Sequence, residues 1–152
     1  MNTIESLLST ANNRRLISYQ GQTETQITFA RRVDALFSQI KKKSELKDPQ
    51  FVIIKEKNPI TFYALLMALW KNGNRVIMPN RDFYVDAKTI TYFKYIVDCQ
   101  DMQVHVTANS DFDRIEIPDG DVIVFSSGST GIPKGILHEH VHFLANAKAV
   151  AD

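Results

Sequence analysis

Apolar positions along the chain follow two rhythms. Phe29, Val33, Leu36, Phe37 and Ile40 recur at i, i+4, i+7, i+8 and i+11, one stripe on a helix with 3.6 residues per turn. Thr28 is placed to cap its start, and Lys41-Lys42-Lys43 suits the negative end of its dipole. A solvated helix end explains that lysine run more simply than a binding patch does. A second helix is expected from Asn58-Pro59, a cap followed by a first-turn proline. It runs through Phe62, Leu65, Leu66 and Leu69 until Gly73 stops it. Tyr63 and Trp70 add apolar mass to it and are expected in the core. Asp86 is expected to cap a third helix with Ile90, Phe93 and Val97 inward, and residues 3–13 form a short first one around Ile4, Leu7, Leu8 and Ala11.

The other rhythm is a continuous apolar run without alternation. Leu16 to Tyr19, Phe51 to Ile54, Arg75 to Met78, Val104 to Val106 and Val122 to Ser126 read as short strands bounded by turn residues such as Gln20-Gly21 and Asp48-Pro49. Residues 107–120, ending in Pro118-Asp119-Gly120, form the longest irregular connection. Strands that lack period-two alternation and alternate with helices belong to a mostly parallel sheet covered by helices on both faces, an α/β architecture. Ligands of such sheets sit at the carboxyl ends of the strands.

Directly after the strand Asp121 to Phe125 comes Ser126-Ser127-Gly128-Ser129-Thr130-Gly131-Ile132-Pro133-Lys134-Gly135. Its composition suits phosphate. Glycines let backbone N–H groups approach an anion closely, hydroxyls add donors of adjustable direction, and Lys134 adds a compact positive charge on a turn stiffened by Pro133. The common nucleotide loop ends in Gly-Lys-Ser/Thr. Here the lysine follows proline and precedes glycine, so that motif fails.

The ten residues instead resemble the signature loop of the adenylate-forming enzymes, which comprise acyl-CoA synthetases, adenylation domains of peptide synthetases and luciferases. Every specified position of that pattern is met. The likeness extends further. Thr28-Phe29 with Val33-Asp34-Ala35-Leu36 is similar to an early helix of these ligases, without its usual Glu. Ala64 to Gly73, followed by Val76 and Pro79, is similar to their Leu-Lys-Ala-Gly segment, with Asn72 in place of Ala. His140 stands where the family places a histidine.

The resemblance implies that the chain, residues 1–152, is the opening part of the large N-terminal domain of such a ligase, without the C-terminal lid domain. It implies ATP and Mg2+, a carboxylic acid substrate, an acyl-adenylate product, and then CoA or a phosphopantetheine thiol as acceptor. Ser126, Ser127, Gly128, Ser129, Thr130, Gly131, Lys134 and Gly135 would bind the phosphates, with Lys134 as the catalytic residue and no metal ligand assigned in the chain. The groups that recognise adenine, ribose and acyl chain lie further on in the family, so the remainder of the ligase or a second chain would complete the site. Aryl, fatty, acetic and amino acids stay open as substrates. The alternative from another class is a non-catalytic phosphate-binding module that self-associates through an open sheet edge.

His138-Glu139-His140-Val141-His142 also satisfies His-Glu-x-x-His, the zinc-hydrolase pattern, which requires both outer histidines on one helical turn. Ala145 and Lys148 stand where its extended form needs Gly and His. If the ligase resemblance holds, Gly135 to His138 is a strand and the histidines part company.

Composition narrows the field a little further. At 152 residues with 44% apolar and 23% charged content the chain can bury a core. A formal net charge of +1 gives no reason to invoke nucleic acid or an anionic membrane. One cysteine, Cys99, builds no disulfide framework and reads as a small, partly apolar core residue. The absence of a basic segment followed by an apolar one at Met1, and of any run long enough to span a bilayer, makes cytoplasmic the expected location.

Overall fold

The computed structural model describes residues 12–78, 92–113, 120–126, 134–142 and 144–145, with the backbone alone for Arg15, Ser126 and Lys134. Residues 3–11 of the expected first helix, the start of the helix at Asp86 and residues 114–119 of the irregular connection lie outside these residues.

The described chain opens with a hairpin of β1 (Arg15–Tyr19) and β2 (Gln22–Thr25). Gln20 and Gly21 both have positive φ, 46° and 81°, the turn whose twist matches that of paired strands. Helix α1 (Gln26–Ile40) follows at once. Its cap is Thr25 rather than Thr28: the Thr25 side chain accepts from the Thr28 backbone N–H, and the Thr28 hydroxyl accepts from the Thr25 N–H. Thr28 therefore sits at the third helical position of a capping box, which places the cap three residues earlier than expected. The apolar stripe buries Phe29, Val33, Leu36 and Ile40, with Phe37 partly covered.

After a 3₁₀ turn at Ser44–Leu46 comes β3 (Phe51–Ile54), then α2 (Pro59–Lys71), capped by Asn58 Oδ1 on the Ile60 N–H and ended by Gly73 at φ 83°. Trp70 is buried as expected, whereas Tyr63 is 45% exposed on the outer face of α2, its ring edge-on to Phe62. Then come β4 (Arg75–Met78), β5 (Tyr95–Gln100), β6 (Gln103–Ala108), β7 (Val122–Ser126) and β8 (Lys134–His138). Val97, expected on a third helix, lies in β5, and Phe93 precedes that strand. The i, i+4 spacing of Phe93 and Val97 fits either period; the run Tyr95-Ile96-Val97, paired on both sides, decides for the strand.

The large sheet has the order β6-β5-β3-β4-β7-β8. Its four inner strands are parallel, and β6 and β8 pair antiparallel at the two edges. The sheet is thus mostly parallel and mixed. Helices α1 and α2 cover one face over Val52, Ile54, Val76, Val97, Val104 and Val122. Alternate residues Phe51, Ile53, Ile77 and Ile123 pack on the other face with Phe93. Both faces are buried over β3, β4 and β7, which is why these strands carry no polar alternation, whereas the edge strand β6 alternates from Gln103 to Val106. No described helix is long and apolar enough to cross a membrane.

Candidate functional site

Residues 127–133 connect β7 to β8, so the Ser/Gly loop is the end of an antiparallel hairpin whose first strand belongs to the parallel sheet. Met78, the last residue of β4, pairs with Val124. Phe125 and Ser126 therefore stand beyond it, and the hairpin reaches past the carboxyl ends of its neighbours. The ladder makes Ser126 and Lys134 direct partners, then Phe125 and Gly135, down to Val122 and His138 at the base. The two ends of the expected phosphate site are thus brought side by side. Ser127, Gly128, Ser129, Thr130 and Gly131 lie outside the described residues.

Gly135 permits a close approach. A Cβ there would come within 3.1 Å of Ile123 Cγ2 and of Phe125 Cε1, closer than side chains normally pack, so the glycine lets the Phe125 ring lie across the outgoing strand. At the base of the hairpin Gly120 plays the same part for Leu137, whose Cγ would meet a Cβ at 2.6 Å. The Gly120 carbonyl also accepts from Arg75 Nε, and the Arg75 guanidinium lies 4.0 Å over the Phe51 ring.

One cluster escaped the sequence reading. Asp121 Oδ2 accepts from the His140 backbone N–H at 3.3 Å and lies 2.7 Å from its Nδ1. Asp121 N–H donates to the His138 carbonyl, and its own carbonyl accepts from Val76 N–H. The His140 ring lies 5.8 Å from the Trp70 ring, inclined by 30°. Asp121 gave no pattern of its own; its only sequence signal was its place after the Pro118-Asp119-Gly120 turn, opening the strand that leads to the loop. A cleft of about 380 Å³ lined by Pro49, Gly73, Arg75, Gly120, Asp121 and Glu139 lies at this same amino end of the strands, remote from the loop.

His138 ends β8, and a helix begins only at His140. The zinc-hydrolase arrangement of His138 and His142 on one helical turn is therefore not formed, and no group of three His, Cys, Asp or Glu side chains gathers among the described residues. Cys99 is partly buried; burial, then the charge of Glu56, pushes its thiol pKa up, the reverse of an activated nucleophile.

No family model and no curated protein matches the chain. Solved structures match its fold. The O-succinylbenzoate coenzyme A synthetase MenE of Bacillus subtilis in complex with AMP superposes with a TM-score of 0.65 at 15% identity, over 99% of this chain and 45% of that one. The same enzyme in complex with ATP and a magnesium ion gives 0.67 at 14% identity, over 99% and 47%. The N-terminal subdomain of Klebsiella oxytoca NpsA gives 0.63 at 19% identity, over 88% and 40%. These neighbours are adenylate-forming enzymes, and the fold is that of their N-terminal portion. The chain spans less than half the length of each.

Proposed function

We propose that the chain is the N-terminal part of an ATP-dependent ligase that activates a carboxylic acid as its acyl-adenylate and passes the acyl group to a thiol of CoA or a pantetheine carrier. One juxtaposition carries this reading: a loop meeting every position of the adenylate-forming signature closes a hairpin at the carboxyl edge of a sheet with the fold of those enzymes.

The donor set suits a polyphosphate. Between Ser126 and Gly135 there are hydroxyls, backbone amides and one ammonium, and no acidic side chain. Magnesium fits this loop poorly, since it takes oxygen ligands with at least one carboxylate in most protein sites. It is assigned to the nucleotide's own phosphates, where it would neutralise charge on the β- and γ-oxygens.

The loop's task follows from charge. When a carboxylate oxygen bonds to the α-phosphorus, the bond from that phosphorus to the bridging oxygen breaks, and the electron pair leaves with pyrophosphate. The loop amides, the hydroxyls of Ser126, Ser127, Ser129 and Thr130, and the Lys134 ammonium are the groups that would hold the growing negative charge. Lys134→Ala should weaken pyrophosphate binding by about 1.5–3 kcal/mol, the worth of a charge-assisted hydrogen bond, which is roughly 10–150-fold in Kd. Titration calorimetry of the wild type and the variant with ATP and pyrophosphate reads this, and equal affinities would remove the loop from phosphate binding.

The second reading is a phosphate-binding module that self-associates and performs no chemistry. Ile136, 48% exposed on the outer strand β8, favours it. Carboxylate-dependent release of pyrophosphate, assayed alone and with the rest of a ligase supplied in trans, separates the two.

A further inference from the structure

We infer that Asp121 and His140 are positioning residues for the phosphate loop, a clasp at the foot of the β7–β8 hairpin that sets the register of its two strands and hence the pairing of Ser126 with Lys134. The inference rests on the reading of residues 126–135 as the polyphosphate site.

A hairpin usually takes its register from its turn. Tight two-residue turns dictate which residues face each other, as at Gln20-Gly21. The connection over 127–133 is longer than the tight turns that dictate register, so the turn alone leaves the pairing open to slip. β8 is also an edge strand, with β7 as its one sheet neighbour among the described residues. A slip of one residue would turn every β8 side chain to the opposite face and replace Lys134 opposite Ser126. The register must therefore be specified elsewhere.

The foot of the hairpin provides the specification. Asp121 joins β4, β7, β8 and the helix that starts at His140, through two backbone–backbone hydrogen bonds, a third from the His140 backbone N–H to its carboxylate, and the contact of that carboxylate with His140 Nδ1. His140 in turn lies against Trp70 of α2, which is buried in the core. Gly120 beneath Leu137 and Gly135 beside Phe125 fit in this register, where each glycine meets a large side chain. Ser126 lies five residues from Asp121 along a strand that rises about 3.3 Å per residue, roughly 16 Å away. The clasp cannot touch the phosphates; it acts on them through β8.

The test uses the 152-residue chain with Asp121→Ala, His140→Phe, which keeps a ring against Trp70, and Asp121→Asn, which keeps an acceptor. The Asp121 side chain is 38% exposed, so its truncation opens no core cavity. Amide hydrogen exchange is followed in β8 and in β3 and β4, with pyrophosphate affinity measured in parallel. Asp121→Ala and His140→Phe should each raise exchange in β8 about tenfold, leave β3 and β4 protected, and lower pyrophosphate affinity several-fold; Asp121→Asn should recover much of both. Unchanged β8 protection overturns the clasp. So does an equal loss in β3, β4 and β8, which would mark a general stability effect. Failure of the wild type to bind pyrophosphate would defeat the phosphate reading instead, and the exchange pattern would still decide whether the clasp sets the register.

Discussion

Replacing Gly120 with alanine should be among the most damaging single-methyl changes in the described chain. Gly120 has φ 156°, a backbone region that side chains rarely adopt. Holding a non-glycine residue there costs roughly 1–3 kcal/mol. The new Cβ would stand 2.6, 2.8 and 3.0 Å from Leu137 Cγ, Cδ1 and Cδ2, an overpacking that adds roughly 1–3 kcal/mol. Loss of glycine's freedom in the unfolded chain returns about 0.4–1 kcal/mol. The net loss is roughly 1–5.5 kcal/mol, a large share of the ~5–15 kcal/mol that stabilises an ordinary domain. Urea unfolding followed by the fluorescence of Trp70, the single tryptophan of the chain, measures it. Repeating the substitution in a Leu137→Ala background removes the collision and leaves the backbone strain. There Gly120→Ala should cost only about 1–3 kcal/mol before the same entropic return. An equal cost in both backgrounds would refute the contact with Leu137, and a loss below about 0.5 kcal/mol in the wild-type background would refute the whole argument.

Two further substitutions probe the N-terminal hairpin and its contact with α1. Gln20 has positive φ beside Gly21, a conformation that asparagine tolerates better, so Gln20→Asn should raise stability by about 0.5 kcal/mol in thermal unfolding. Glu24, 12% exposed at its side chain, is ion-paired with Arg32. Burial raises its pKa, but hydrogen bonds with Thr28 and Arg32 and the charge of Arg32 prevail and hold it below the ordinary 4.5. A depressed folded-state value means that its stabilisation is complete above 4.5 and is lost as pH falls through the lower folded value. Urea midpoints taken from about pH 6 down to about pH 3 should therefore fall more steeply for the wild type than for Glu24→Gln; parallel curves would deny Glu24 that role.

The sequence revealed most where local chemistry and burial agree. Asn58-Pro59 and Gly73 bound α2 as expected, and the unbroken Phe51 to Ile54 run is buried on both faces. It was silent on β2, because Gln22-Thr23-Glu24-Thr25 is polar throughout and forms a strand only by pairing with β1. It misjudged Val97, since short apolar runs fit both periods and pairing partners distant in sequence decide between them. The antiparallel edges were equally illegible: a strand's direction is not written in its composition. The loop stood out because the composition that suits phosphate, the role proposed for it, falls on one contiguous stretch. The clasp did not: His140 stood out only by its place in the family pattern, and its tie to Asp121 emerges only when β7 and β8 are laid side by side.

The strand order has a consequence for how the molecule comes into being. β3 lies in the interior of its sheet, β4 joins one flank and β5 the other, β6 extends the second flank, and β7 and β8 return to close the first. A polypeptide emerging from its amino end can lay these strands down from the inside outward, each against a neighbour already made. Among the described strands, the hairpin that would hold the nucleotide comes after the four on which it is laid.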